Sequence, residues 1–451
     1  MASGITVDFT AETGVIRPLH GVNNGPKTTG FYRDASALFR EAGIPLCRLH
    51  DTEYPFGSGA FVDIPCIFKD FDADADDPES YDFSQTDAYI QAILDVGAKP
   101  LYRLGVSIEH TPVKRNIYAP KDAKKWAAIC EHIVRHYNEG WKDGMKAGIE
   151  YWEIWNEPES ASMWIGTRDQ FFELYEVTAK HLKACFPSIK VGGYGSCGFY
   201  ALTDIPVCAV DLSPGHRKWQ SFVDWAEAFC KLCAKRSIPL DFYSWHLYSS
   251  APENFRIHAR YVRELLDRNG LTATESILDE WNLAGEDMFD RMTTSEGAAH
   301  GIAVLCRMQE NAVDAATYYD SQPTLPYCGI FKLTSLKPTK QFYALKYWNT
   351  LYRMGTRVKT TAEGDALYAA AACDGARRAM VVSNYDAADK NLRIEIKNLA
   401  ENAAYRVYAT DPAHENALTQ SGTLWKEYPY IDIVTVRYTA LFIEIDPPKK
   451  V

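Results

Sequence analysis

Eight short apolar runs, separated by longer stretches with helical spacing, occupy the chain between residues 19 and 350. The runs are residues 19–24 (LHGVNN), 46–50 (LCRLH), 99–105 (KPLYRLG), 149–157 (IEYWEIWNE), 190–195 (KVGGYG), 240–248 (LDFYSWHLY), 276–282 (SILDEWN) and 315–320 (AATYYD). Between them, residues 32–42, 84–96, 123–137, 170–185, 221–235, 255–269 and 295–310 carry apolar residues three or four apart, the period of a helix face. Strands alternating with helices imply parallel β/α units, because a parallel pair needs a crossover long enough to hold a helix. Eight such units predict a (β/α)8 barrel rather than an open, doubly wound sheet.

After about residue 350 the texture changes to short alternating runs: residues 365–373, 376–385, 391–399, 404–411 and 439–446, separated by Gly, Asn, Asp and Pro. These predict a small antiparallel β-sandwich. Residues 4–9 (GITVDF) share that alternation and precede the first barrel strand, so they are expected to join the sandwich. The expected organisation is a catalytic barrel over 15–345, with 1–14 and 346–451 forming the accessory sandwich. A chain of 451 residues suits one large barrel plus a smaller unit.

The formal net charge of −11 argues against a nucleic-acid partner, which would require clustered Lys and Arg. No stretch approaches the ~18 apolar residues of a membrane span. The first residues, MASGITVDFTAETG, show no basic region followed by an apolar run, so the expectation is a cytoplasmic protein. The eleven cysteines are scattered through apolar segments, as reduced buried thiols are. Cys230 and Cys233 lie three apart in a helical pattern, which favours two core thiols over a zinc or redox site.

In such a barrel the active residues lie at the carboxyl ends of the strands. Those ends deliver Asn23, Asn24, Arg48, His50, Asn156, Glu157, His246, Tyr248, Glu280, Asn282 and Asp320. Glu157 ends the fourth strand and Glu280 the seventh, each flanked by Trp and Asn. Facing carboxylates are what acetal cleavage needs: one protonates the leaving oxygen, the other attacks or activates water. Arg48 is expected beside Glu280, keeping it ionised and leaving Glu157 to hold the proton. Sugar rings stack their C–H faces on aromatic rings, so Trp281 and Tyr248 are candidate platforms, whereas Trp152 reads as core.

The motifs HGVNNGP, CRLH, EIWNEP, WHLYS and DEWN, in that order, resemble a clan A glycoside hydrolase and, within it, glycoside hydrolase family 39. The similarity runs over nearly the whole chain and includes a carboxyl-terminal sandwich that borrows the first strand. It implies a retaining, metal-free and cofactor-free enzyme, β-xylosidase-like and exo-acting, whose partner is a small oligosaccharide or glycoside. By motif, Glu157 resembles the acid/base and Glu280 the nucleophile. Asn156 would read the sugar 2-hydroxyl, Arg48 would orient Glu280, and His50, His246 and Tyr248 would line the sugar site, with Asn24 and Trp281 as further substrate contacts. Where the family often carries Thr or Ser before the nucleophile, this chain has Asp279, whose side chain strand alternation should turn away from Glu280. The loop at residues 51–71 also departs from the xylosidase pattern. An arabinosidase, a galactosidase, an endo-glycanase and a non-catalytic carbohydrate-binding barrel remain alternatives; a metal-dependent lyase or isomerase using His50 and His246 lacks carboxylates suitably placed beside them. A homo-oligomer is compatible with the sequence.

Overall fold

The computed structural model describes residues 3–27, 33–52, 60–109, 111–203, 216–322, 327–332, 335–385 and 388–446. The chain opens with β1 (Ser3–Val15), and eight parallel strands then close a barrel in chain order. They are β2 (Gly21–Asn23), β3 (Leu46–Arg48), β4 (Lys99–Leu104), β5 (Tyr151–Ile154), β6 (Lys190–Ser196), β7 (Phe242–Tyr248), β8 (Glu275–Asn282) and β9 (Ala315–Tyr318). Each expected apolar run contributes one of these strands. The helices are α1 (Ser36–Ala42), α2 (Ile64–Ile67), α3 (Ser84–Asp95), α4 (Ala123–Asn138), α5 (Arg168–Cys185), α6 (His216–Arg236), α7 (Pro252–Arg268), α8 (Met288–Arg291), α9 (Ser295–Glu310) and α10 (Lys340–Met354). Their starts follow local chemistry. Asp122 accepts from the backbone N–H groups of Lys124 and Lys125, and Thr167 and Gln170 form a reciprocal capping box before α5.

Alternation along the strands sorts the barrel interior into layers. Leu46, Leu101, Phe242, Ile277 and Ala315 point inward and close the floor as one apolar cluster. Two residues further along each strand, the inward positions are Arg48, Arg103, Ser244, Asp279 and Thr317, joined by Glu153 on β5, all buried. A barrel usually fills this layer with branched apolar side chains. Here it holds charges, which must pair to be tolerated. The outward residues of the same strands, among them Cys47, Tyr102, Trp152 and Trp245, pack against the helices.

The second unit is one nine-stranded sheet. Its strands are β1, β10 (Thr356–Glu363), β11 (Leu367–Cys373), β12 (Arg378–Asn384), β13 (Lys390–Lys397), β14 (Ala403–Thr410), β15 (Ala417–Leu424), β16 (Tyr430–Thr435) and β17 (Thr439–Asp446). Their order is β15-β14-β17-β12-β11-β10-β1-β13-β16. One face, with Ile5, Val7, Val382, Ile394, Val407, Ile431 and Ile443, gathers residues from both ends of that order into a single core. The sheet therefore curls over itself. Its other face, with Tyr368, Ala370, Val381 and Phe442, packs onto the barrel's helices. Tyr347 on α10 stacks on Phe442, and Ser383 Oγ donates to Ala299 O on α9 at 2.7 Å. All pairings are antiparallel except β1 with β13, which is parallel. Cys230 and Cys233 are buried free thiols; the other described cysteines are free as well, with Cys66 and Cys185 only half-buried. No helix among the described residues is long and apolar enough to cross a membrane.

Candidate active site

Arg48 sits inside the barrel toward the carboxyl ends of the strands, with its side chain fully buried. Its Nη1 donates to Glu280 Oε1 at 2.8 Å and to Asn23 Oδ1 at 3.1 Å. Its Nη2 donates to Asn156 Oδ1 at 2.6 Å, and its Nε lies 2.7 Å from Glu153 Oε2 and 2.9 Å from Asp279 Oδ2. Three strands beyond its own are thereby tied to one guanidinium.

Glu280 receives Tyr248 Oη on Oε2 at 2.9 Å, opposite the Arg48 bond on Oε1. Glu157 is bonded to His246 Nδ1 through Oε1 at 2.8 Å, and that nitrogen is 3.5 Å from Glu280 Oε2. One ligand atom each of Glu157, His246 and Glu280 lie within 4.8 Å of one another. The two carboxylates thus face each other across His246. Glu157 is the more open of the pair, with 24% of its side chain exposed against 7% for Glu280.

The backbone at Glu157 is held in an uncommon conformation, with φ of 46°, and Trp155 has φ of 73°. Such residues cost about 1–3 kcal/mol each and persist only where neighbours over-determine them. Here the Glu157 N–H donates to both Tyr194 O and Gly195 O, and the Trp155 indole N–H donates to Met163 O. The buried Pro158 follows. This turn brings the Glu157 side chain to His246 and Glu280.

Ionisation states follow from burial and neighbours. Burial alone would lower the His246 pKa, but the charge of Glu280 and the hydrogen bond and charge of Glu157 raise it above the ordinary imidazole value. His50 goes the other way: burial, then the charges of Arg103 and Arg48, hold it far below that value, so it is a neutral ring. Burial also pushes Asp51 up to about 6, against the hydrogen bond from Tyr319 Oη. Asp320 is raised well above the carboxylate range by burial, with Asp51 and Glu280 adding to the effect.

The profile of glycosyl hydrolases family 39 matches residues 45–274, the segment that carries Arg48, Asn156, Glu157, His246 and Tyr248. The chain belongs to that family. A curated β-xylosidase of Geobacillus stearothermophilus, 25% identical over 354 residues, aligns with 68% of this chain. The chain spans 64% of that relative's length. Among solved structures, a glucosidase from Croceicoccus marinus superposes with a TM-score of 0.79 at 23% identity, each chain covered to 99%. A monomeric β-xylosidase from Caulobacter crescentus gives 0.72 at 20% identity, covering 99% of this chain and all of the other. At these identities the likeness shows the fold alone, a closed barrel with a β-sheet unit.

Of the residues read from the sequence, the fold brings Glu157, Glu280, Asn156, Arg48, His50, His246 and Tyr248 together at one mouth. His50 Nε2 lies 3.8 Å from Glu280 Oε1. Asn24 is fully buried, accepting from the His50 backbone N–H and donating to Asp320 Oδ2, so it braces the site from beneath instead of facing a sugar. Trp281 is corrected outright. It is fully buried on the outer side of β8, ring to ring with Tyr318, Phe255 and His300, because it neighbours the inward Glu280 and must face the helices.

Asp279 is corrected in the opposite sense. Leu278 pairs with Trp245 but Glu280 with His246, so Asp279 is the extra residue of a β-bulge. A bulge breaks strict alternation, and both Asp279 and Glu280 enter the barrel. Glu153 was not among the expected site residues; alternation back from the strand end, through the inward Tyr151, is the signal that points to it. Residues 53–59 of the divergent second loop lie outside the described residues. Among the described residues, the other cluster with metal-ligand spacing is Glu131, His181 and Cys185, between α4 and α5 and remote from this mouth.

Proposed function

We propose that the protein is a retaining, exo-acting glycosidase of the β-D-xylosidase type, with Glu280 as nucleophile and Glu157 as acid/base. A Glu280 oxygen attacks the anomeric carbon while Glu157 passes its proton to the departing glycosidic oxygen, leaving a glycosyl ester on Glu280. Glu157, now a carboxylate, takes a proton from water, whose oxygen displaces Glu280 and restores both groups. The observation that carries this reading is the approach of the two carboxylates to within 4.8 Å through their nearest oxygens. Double displacement uses carboxyl groups about 5–5.5 Å apart, whereas an inverting pair is spread to about 6.5–9.5 Å to admit water.

The hydrogen bonds support distinct roles for the two. Glu280 is gripped on both oxygens by Arg48 and Tyr248, as a nucleophile aimed at one carbon should be. Glu157 is the more exposed, where leaving group and water arrive. Because Arg48 claims Asn156 Oδ1, the Asn156 amide N–H groups are turned outward, suited to a sugar 2-hydroxyl. The barrel of residues 15–345 would carry the chemistry and the sheet unit would brace it from behind.

The test is a panel of aryl glycosides, beginning with xyloside, glucoside, arabinoside and galactoside, on the wild type and on Glu280→Ala. The expected result is xyloside turnover that Glu280→Ala abolishes and that azide restores as the glycosyl azide of inverted configuration. Turnover surviving in Glu280→Ala would refute the nucleophile assignment. Release of single sugars from the ends of xylo-oligosaccharides tests exo action; internal cleavage would refute it.

A further inference from the structure

The Arg48 Nε carries one hydrogen, yet two carboxylate oxygens converge on it, Glu153 Oε2 at 2.7 Å and Asp279 Oδ2 at 2.9 Å. Both side chains are fully buried, and the other guanidinium nitrogens are committed to Glu280, Asn23 and Asn156. Two bare oxygens sharing one donor repel each other. Glu153, Asp279 and Glu280 around a single guanidinium also leave an excess of negative charge where water cannot screen it. A proton held between Glu153 and Asp279 removes both difficulties at once.

Counting donors places that proton. Glu153 has one for each oxygen: Arg48 Nε–H on Oε2 and Ser244 Oγ–H on Oε1 at 2.6 Å. Among the described residues neither Asp279 oxygen has a hydrogen bond of its own, and the other nitrogen facing it is His246 Nε2, 3.5 Å from Oδ1. As a carboxylate Asp279 would be starved of donors; as an acid it donates to Glu153. Its backbone is fixed for that purpose, since Asn23 Nδ2 and Thr317 Oγ1 both bond Asp279 O, at 2.7 and 2.6 Å. The electrostatics agree in direction. Burial, and beyond it Glu153 and Glu280, push Asp279 well above the carboxylate range against the pull of Arg48, while Arg48 holds Glu153 below that range despite its burial.

We propose that Asp279 is a neutral carboxylic acid that donates a hydrogen bond to Glu153 and, by completing the cage around Arg48, acts as a positioning residue for Glu280. Asp279 thereby does the work of a neutral hydroxyl, the group that the resemblance leads one to expect just before the nucleophile. The inference rests on the reading of Glu280 as nucleophile for its consequence, but not for the protonation itself.

The experiment compares Asp279→Asn and Asp279→Leu in the full chain. At neutral pH the wild type is expected to show an infrared carbonyl band of a protonated carboxylic acid that is missing from Asp279→Asn and still present in Glu280→Ala. Asp279→Asn keeps a donor toward Glu153 and should retain most of kcat/KM. Asp279→Leu removes the donor and should lower kcat roughly 10- to 100-fold, with KM little changed. Loss of no carbonyl band in Asp279→Asn, together with an activity as low as that of Asp279→Leu, would show an ionised Asp279 and overturn the proposal. Full activity in Asp279→Leu would overturn the positioning role. Survival of Glu280→Ala turnover, in contrast, would strike only the nucleophile assignment.

Discussion

Glu159, two residues beyond Glu157, should make the protein lose stability as the pH approaches neutrality. Its Oε1 accepts from Ser196 Oγ and from the Cys197 N–H, both at 2.8 Å, while its Oε2 is buried without a partner among the described residues. Burial first, with the charge of Glu157 adding, raises its pKa from 4.5 to about 7. At about 1.4 kcal/mol per unit, the shift amounts to about 3 kcal/mol. Because the folded-state pKa lies above the unfolded one, the native state binds the proton more tightly. The stabilisation is complete below pH 4.5 and is lost as the pH rises through about 7. Glu159→Gln keeps the acceptor for Ser196 and Cys197, replaces the orphaned oxygen with a neutral amide and cannot ionise. Chemical denaturation followed across that window should therefore show wild-type stability falling by about 3 kcal/mol relative to Glu159→Gln, at no more than about 1.4 kcal/mol per pH unit. Parallel stability curves for the two proteins would refute the reasoning, because they would mean that Glu159 ionises alike in the folded and unfolded chain.

Tyr248→Phe removes the donor to Glu280 Oε2 and should lower kcat roughly tenfold or more in steady-state assays, with unfolding little affected. Trp281→Ala should destabilise by about 3–5 kcal/mol in denaturant titration while leaving KM of the folded fraction unchanged; a sugar platform would give the reverse. Zinc or copper ions should inhibit competitively with substrate and be reversed by chelator, since Glu157, His246 and Glu280 can ligate an ion where the sugar would lie. His246→Phe should abolish that inhibition.

The barrel was legible because its signal is periodic and repeated. Residues 99–105, for instance, read as a strand because a short apolar run there sits between stretches with helical spacing, and the structure then turns Leu101 inward and Tyr102 and Leu104 outward. The sheet unit was read less completely. β15 is largely exposed and β10 is rich in Thr and charge, so neither shows the apolar alternation that a half-buried strand needs. In the site, residues at strand ends were found because position alone nominates them. Asp279 was misplaced because a one-residue bulge is set by the pairing of β7 with β8, which the sequence of β8 does not display. Trp281 was misplaced against alternation itself, which turns the neighbour of the inward Glu280 toward the helices. Glu153 was passed over because a charge beneath the mouth has no apolar pattern to announce it. Its place depends on Arg48, a residue 105 positions away.

β1 lies between β10 and β13 and, among the described residues, joins the β13–β16 pair to the other six strands of the sheet. β1 therefore has both its partners beyond residue 355, and waits through synthesis of the entire barrel before it can be paired. That order of events gives β1 contacts of very long chain separation, which form late. A chain ending between β12 and β13 would hold its barrel and pair β1 with β10, but present the other edge of β1 unpaired, ready to recruit another chain's edge in place of β13.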